Sequence, residues 1–307
     1  MTLESTRQST KQQLTAQQWR CAATEYSSAM KRWTEPYRAR RCAGKSHPIH
    51  DFLFVYYRYS PSRLEEWHPG IDMHLLCDPD IELSHFSPRH YSRSDGAIFC
   101  DPLKMTNQLR ERLEWIADLL RQTGERRGNY SCFGLHEWAM VYKGDDVRHR
   151  ETTKFRLSQS EIDKVVESRP ITCSHFDAFR FFADEARPLN RLLPTLEKRA
   201  EMEQPACIHA NMDLYKWAFK AMPWVGSPLL RECFELAMQA RAIDMRASPY
   251  ELSKYDDYPP IRIETAAGRA QYETFQRSLA QQASVLRERL IRKIARAIEL
   301  ASTGTTT

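Results

Sequence analysis

The chain has 307 residues, a formal net charge of +5 and 42% apolar residues, among them 13 Phe, 13 Tyr and 7 Trp. That apolar mass suffices to bury a sizeable core, which excludes a disordered chain, and the mildly basic balance permits DNA as a partner but falls short of a dedicated nucleic-acid binder. Only 10 glycines occur, about half the usual share, and neither GxGxxG nor GxxxxGK[ST] is present, which argues against dinucleotide and P-loop phosphate sites.

No secretory leader opens the sequence, and no run of about 18 apolar residues suggests a membrane span. The eight cysteines (Cys21, Cys42, Cys77, Cys100, Cys132, Cys173, Cys207 and Cys233) are scattered with no CxxC. The expectation is a cytoplasmic protein with free, buried thiols.

In chain order, polar stretches at 1–12 and 302–307 read as disordered tails around one helical domain, 13–301. Leu14, Trp19, Ala22, Tyr26, Met30 and Trp33 recur at helical spacing over 13–33. RARR at 38–41 reads as a charged turn, with a phosphate contact as its sharper alternative. Pro48 suits a first helical turn with Asp51 near its N-terminus, and Phe52 to Tyr57 reads as a buried helix. Pro61 and the Pro69-Gly70 pair break the chain after it. Residues 71–103 read as an irregular excursion with one short strand, AIFC at 97–100.

The stretch 104–123 is amphipathic, with Leu109, Leu113, Ile116 and Leu120 on one face. CFGLHEWAMVYK (132–143) is buried in type but ambiguous between helix and strand, and 147–157 reads as an edge strand. Ser158 and Glu161 form a capping box that opens a helix. A helix is expected from about 207 to 220, another over 227–245 with Ser227 as N-cap and Pro228 at N1, a turn and short strand at 258–265, and a long helix over 266–300. The fold class is therefore mainly α, a compact helical domain with a few short strands.

Ionisable residues inside apolar stretches point to chemistry, because burying a charge is costly unless it is paired or bound. Three acid–histidine pairs stand out: His136 with Glu137, His175 with Asp177, and His209 with Asp213, the last spaced i,i+4 on one helix face. Each has a local explanation. His209 and Asp213 can bond each other, Asp177 can pair with Arg180 or Arg187, and Glu137 can be half-exposed. Taken together they suggest convergence on one pocket. Imidazoles and carboxylates in that number suit a divalent cation (Zn, Fe or Mn), with His136, His175 and His209 as candidate ligands. The same carboxylates also suit general-base work in a cleft walled by aromatics. GxSxG is absent, and a nucleophilic role for Cys132, Cys173 or Cys207 is the weaker reading.

The stretches HPIHDFLFVYY, WHPG, CFGLHEWAMVYK, CSHFDAFRFF, EQPACIHANMDLYKWAFK and DMRASPYEL, with IRIET after them, resemble a family of bacterial proteins labelled 3-methyladenine DNA glycosylase. The resemblance spans about residues 45–295, with Ala206 where the family is expected to have Gly. No helix-hairpin-helix signature accompanies it, and no catalytic residue carries over.

The resemblance implies a hydrolase that excises alkylated purines by cleaving the N-glycosidic bond, with DNA as partner. Such an enzyme flips a cationic base onto aromatic faces and stabilises an oxocarbenium-like sugar. Trp138, Tyr215 and Trp217 are the candidate stacking rings. Asp177, Glu137 and Asp213 are the candidate catalytic carboxylates, and Lys216, Lys220 and Arg246 the candidate phosphate contacts. The alternative is a metal-dependent enzyme acting on a nucleoside or other small molecule through the His/carboxylate set. A non-catalytic helical partner protein is the third reading, motivated by the long C-terminal helix.

Overall fold

The computed structural model describes residues 12–77, 86–144, 154–255 and 257–303, and its first helix starts where its capping residues dictate. Thr15 accepts from the Gln18 backbone N–H while the Gln18 side chain accepts from Thr15 N–H. Helix α1 (Ala16–Cys42) then runs through Pro36 and takes in the whole 38–41 run. That run is therefore the last helical turn and not a separate charged turn. Cations suit a helix C-terminus, and two of these arginines also meet carboxylates: Arg38 pairs with Glu65 at 2.6 Å and Arg40 with Asp51 at 2.9 Å.

Helix α2 (Phe52–Tyr57) is short, and Pro48 lies in the turn ahead of it. Asp51 holds its N-cap position, but the carboxylate turns to Arg40 and to the His47 N–H, the latter at 2.8 Å. Pro61 opens α3 (Pro61–Glu65).

The described parts of 71–103 are more regular than expected, and the one strand expected there, 97–100, is present. Gln12–Leu14 (β1), Met73–Leu76 (β2), Tyr91–Ser94 (β3) and Ala97–Cys100 (β4) form one sheet in the order β1-β2-β4-β3. β1 runs parallel to β2 with Leu14 opposite Leu75; the other pairs are antiparallel. Asp95 and Gly96, with φ of 52° and 71°, make the two-residue turn between β3 and β4. An Asp-Gly pair favours that turn because both positions need positive φ.

Thr106 caps α4 (Asn107–Glu125), which buries Leu113, Ile116 and Leu120. The ambiguous stretch 132–143 resolves as helical at α5 (Leu135–Ala139). The Ser158/Glu161 box opens α6 (Gln159–Glu167) as expected. Three further helices come next: α7 (Phe176–Phe179), α8 (Arg199–Met202) and α9 (Ile208–Lys220).

Of the expected edge strand, 147–153 lie outside the described residues, and Phe155 makes a single antiparallel bridge with Tyr250. Gly226, not Ser227, occupies the cap of α10 (Ser227–Ala247). The Ser227 hydroxyl instead takes the His68 N–H at 2.8 Å. No strand forms at 258–265; there the Ile261 N–H bonds the Arg246 carbonyl at 2.7 Å. The final helix, α11 (Ala266–Thr303), is about 57 Å long at 1.5 Å per residue. It absorbs Ser302 and Thr303, and β1 absorbs Gln12, so neither end is the full tail expected; 1–11 and 304–307 lie outside the described residues.

The chain is thus mainly α with one small sheet. Helix α9 packs against α10 and α11 and is buried almost all round, as an apolar central helix must be. One apolar cluster gathers α1, α4, α9, most of α10 and the sheet; a second gathers α5, α6 and the C-terminal end of α10. The ionisable residues of α5, α9 and α10 lie among these two cores.

Candidate metal centre

The three expected histidines converge. The His209 ring lies edge-on to His136 with centroids 4.6 Å apart and nearly parallel to His175 at 5.5 Å. Helix α9 supplies His209, α5 supplies His136, and His175 caps α7. All three are buried. The spacing of His209 and Asp213 put both on the inward face of α9, but they do not bond each other. Each reaches a different cluster.

The first cluster is His175, Glu203 and Asp213, whose ligand atoms all lie within 4.8 Å of one another. His175 Nε2 is 3.4 Å from Glu203 Oε1 and 3.5 Å from Asp213 Oδ2, and neither ring nitrogen has a hydrogen-bond partner. Glu203 Oε1 accepts no hydrogen bond of good geometry either, although Arg199 Nε stands 3.0 Å from it as an ion pair. Asp213 Oδ1 accepts from Tyr57 Oη at 2.7 Å, and Asp213 Oδ2 from Lys216 Nζ at 3.0 Å. Burial works against a charged Asp213, yet the Lys216 ammonium and His175 hold its carboxyl far below the usual range. Burial dominates at Glu203 and pushes its carboxyl up.

Asp177 closes this cluster on its solvent side. It pairs with Arg199, with Lys216 at 3.2 Å and with Arg180 at 3.4 Å. Burial opposes its charge, but Lys216 and Arg199 outweigh that and lower its pKa. Arg180 was one expected partner; Arg199, the other main partner, was not anticipated, and Arg187 instead faces Asp184.

The second cluster is His136, Glu137, His209 and Asp244. His136 Nε2 is 2.7 Å from Asp244 Oδ1, and its Nδ1 is 3.3 Å from Cys132 Sγ. Burial opposes a proton on His136, but Asp244 and Cys132 raise its pKa well above the ordinary value. His209 is driven the other way, to about 3, by burial and then by its neighbour His136. Arg241 donates to Glu137 at 2.9 Å and lies 3.4 Å from Asp244 Oδ2. Burial raises the Glu137 pKa against the pull of Arg241.

Beside His136 and His209 lies an interior cavity that leaves about 10 Å³ for an occupant, roughly one water. Cys132, Cys173 and Cys207 also line it. Burial pushes the Cys173 thiol up, and the Cys207 thiol likewise. All eight cysteines are free, though Cys21 and Cys42 are exposed and not buried as expected.

The expected base-stacking rings do not form a cleft. Trp138 and Tyr215 have no exposed surface; Trp138 donates its indole N–H to the Ala247 carbonyl, and Tyr215 packs edge-on to Tyr57, Tyr59 and Phe234. Both complete the core. Trp217 is also buried, but Lys216 and Lys220 lie 4.5 and 5.3 Å from its ring, and the half-exposed Trp115 meets it edge-on. Lys216 serves the carboxylates and Lys220 is exposed. Arg246 is not brought to the histidines: its Nε donates to the Pro259 carbonyl, and its guanidinium lies over Phe275. A larger cavity of about 570 Å³, between 156–157, 251–255 and 258–264, is lined by none of the expected site residues.

Glu203, Asp244, Arg199, Arg241 and Tyr57 were not singled out from the sequence. Arg241 and Asp244 sit in an apolar helix, the same signal that marked the other pairs. Glu203 precedes Gln204 and Pro205 and carries no such mark. A scan of protein-family models, a search of curated proteins and a search of solved structures each find no match to this chain. Among the described residues, no helix is long and apolar enough to cross a membrane.

Proposed function

We propose that this protein is a divalent-metal-dependent enzyme acting on a small molecule, with His175, Glu203 and Asp213 as cation ligands. The observation that carries the reading is the His175 imidazole. It is buried, bonded at neither nitrogen, and stands 3.4 and 3.5 Å from two carboxylate oxygens. An imidazolium held by carboxylates closes to roughly 2.7–2.9 Å. Donor atoms around a shared cation, each about 2.0–2.2 Å from it, stand roughly 3.0–3.5 Å apart.

Glu203, Asp213 and Asp177 share Arg199 and Lys216, and Asp177 also meets Arg180. One imidazole with two carboxylates suits Mn, Fe or Zn. When bound, such a cation supplies Lewis acidity and an activated water. Tyr57 and Lys216 fix the Asp213 carboxylate, and Arg199 holds Glu203 at 3.0 Å. The surrounding aromatics keep bulk water out.

Elemental analysis of protein purified without a histidine tag tests this. One or more equivalents of a transition metal per chain are expected, falling in His175→Ala while the helical circular dichroism persists. A folded wild-type protein that neither carries nor takes up Mn, Fe or Zn sinks the reading.

The base-excision reading keeps one observation in its favour, the surface where the exposed Trp115 adjoins Trp217, Lys220 and Arg112. Like charges there are close enough to help lower the Lys220 pKa, after burial. Release of 3-methyladenine from methylated duplex DNA, assayed at several salt concentrations because phosphate contacts are salt-sensitive, tests it. No release at any salt ends it.

A further inference from the structure

We infer that His209, Asp244 and His136 form a second cation position next to the first, so that the centre binds two divalent cations. This rests on the metal reading above. The inference comes from His209, the one imidazole shared by geometry between the two clusters. Its ring packs on both His136 and His175.

His209 is buried, yet its side chain makes no hydrogen bond among the described residues. Its Nε2 is 3.8 Å from Asp244 Oδ2. That is too long for a hydrogen bond but within the span of two cation bonds of about 2.1 Å each. The other Asp244 oxygen is 2.7 Å from His136 Nε2, so one carboxylate faces both imidazoles. Two imidazoles and one carboxylate with an open position are a known divalent-metal arrangement.

The surroundings fit a ligand role. Cys132 Sγ sits 3.3 Å from His136 Nδ1 and orients that ring from behind, as the outer partners of metal-bound histidines do. Arg241 holds Glu137, the fourth member of the cluster, at 2.9 Å. The small cavity touching both rings gives room for about one water in the open position. The side chains of Ser174, Tyr272 and Gln276, all buried, line the same cavity and each leaves a polar atom unpartnered. Buried polar atoms of that kind are normally satisfied.

The competing occupant is a proton on His136, shared with Asp244. A cation entering there displaces it, because ligating imidazoles must be neutral. The two readings therefore differ in stoichiometry.

The test uses the full-length chain, stripped with chelator and titrated with Mn²⁺ or Zn²⁺, with bound metal counted by mass spectrometry. Two equivalents are expected for wild type and one for Asp244→Asn. His209→Gln, expected to fall to one as well, stands in if the first variant fails to fold. Manganese-loaded wild type is expected to give the spin-coupled resonance of two neighbouring ions. One equivalent in wild type, unchanged in both variants, overturns the second position and leaves the first standing. Zero equivalents overturns both. Two equivalents that persist in both variants place the second ion elsewhere and overturn this assignment.

Discussion

Tyr57 donates its phenol hydrogen to Asp213 Oδ1 across 2.7 Å, joining α2 to α9 over 156 residues of chain. The bond leaves Asp213 Oδ2 to Lys216 and the cation position. Tyr57 itself is held by ring contacts with Tyr56, Tyr59 and Tyr215, so the carboxylate inherits its orientation from a packed aromatic wall.

Replacing Tyr57 by Phe keeps that wall and removes only the donor. Loss of such a partner of a metal ligand costs roughly 10–100-fold in affinity, while a lost hydrogen bond costs about 1 kcal/mol of stability. Competition for Zn²⁺ with a chromophoric chelator reads the first, and urea unfolding of the metal-free protein the second. Unchanged zinc affinity alongside lowered stability would mean the bond serves packing alone.

Asp177 is one of the three candidate catalytic carboxylates of the sequence, and its ion pairs give it another task. It neutralises Arg199 and Lys216, the two cations that hold Glu203 and Asp213. Asp177→Asn is expected to cost about 3 kcal/mol of stability, the low end for a buried pair broken from one side, with metal equivalents unchanged. A variant that folds but loses an equivalent would make Asp177 a ligand.

Away from the centre, His47 makes stability depend on pH. Burial, then His50 and Arg40, lower its pKa from 6.5 to about 4, against the opposing pull of Asp51. Tyr255 and Tyr258 pack on the same ring, and Lys254 adds a further cation. Below pH 6.5 the unfolded chain takes up this proton and the folded chain resists it until about pH 4. Unfolding free energy should therefore fall as pH drops through that window and rise as pH increases. His47→Asn keeps an acceptor for the Ile49 and His50 N–H groups and should flatten this slope. Chemical denaturation at pH 4.5, 5.5 and 6.5 checks it; an unchanged slope would refute the assignment to His47.

How far the sequence could be read depends on how local each cause was. The Ser158/Glu161 box and the α4 stripe are fixed by neighbours a few residues apart, and both were legible. The acid–histidine pairs were legible because a charge inside an apolar run is anomalous wherever it lies. Their partners were not. Arg241 reaches Glu137 across 104 residues and Tyr57 reaches Asp213 across 156, and no periodicity encodes such a pairing. Of the sheet only the strand at 97–100 was legible, and the other three were missed for a different reason. They have only three or four residues, too short for alternation to stand out, although the Asp95-Gly96 pair was a usable hairpin signal. Trp138 and Tyr215 show that aromatic density alone does not distinguish a stacking surface from a core.

Gly268 sits in the first turn of α11, where the chain turns back on the Arg262 carbonyl. A Cβ there would stand 1.9 Å from the Arg262 oxygen and 2.3 Å from its carbon. The turn has little room to yield: Thr265 Oγ1 accepts from the Gly268 N–H at 3.0 Å and donates to that same carbonyl at 2.8 Å. Gly268→Ala is therefore expected to cost ~3 kcal/mol or more, the upper end for forced overpacking. Gly124 in α4 is the contrasting case. Its added Cβ would meet only the Arg287 side chain, at 3.4 Å, so Gly124→Ala should be neutral or stabilise by up to ~1 kcal/mol through helix propensity. Urea midpoints of the two variants, measured side by side, decide it. Equal midpoints would mean that the 262–268 turn is looser than its hydrogen bonds imply.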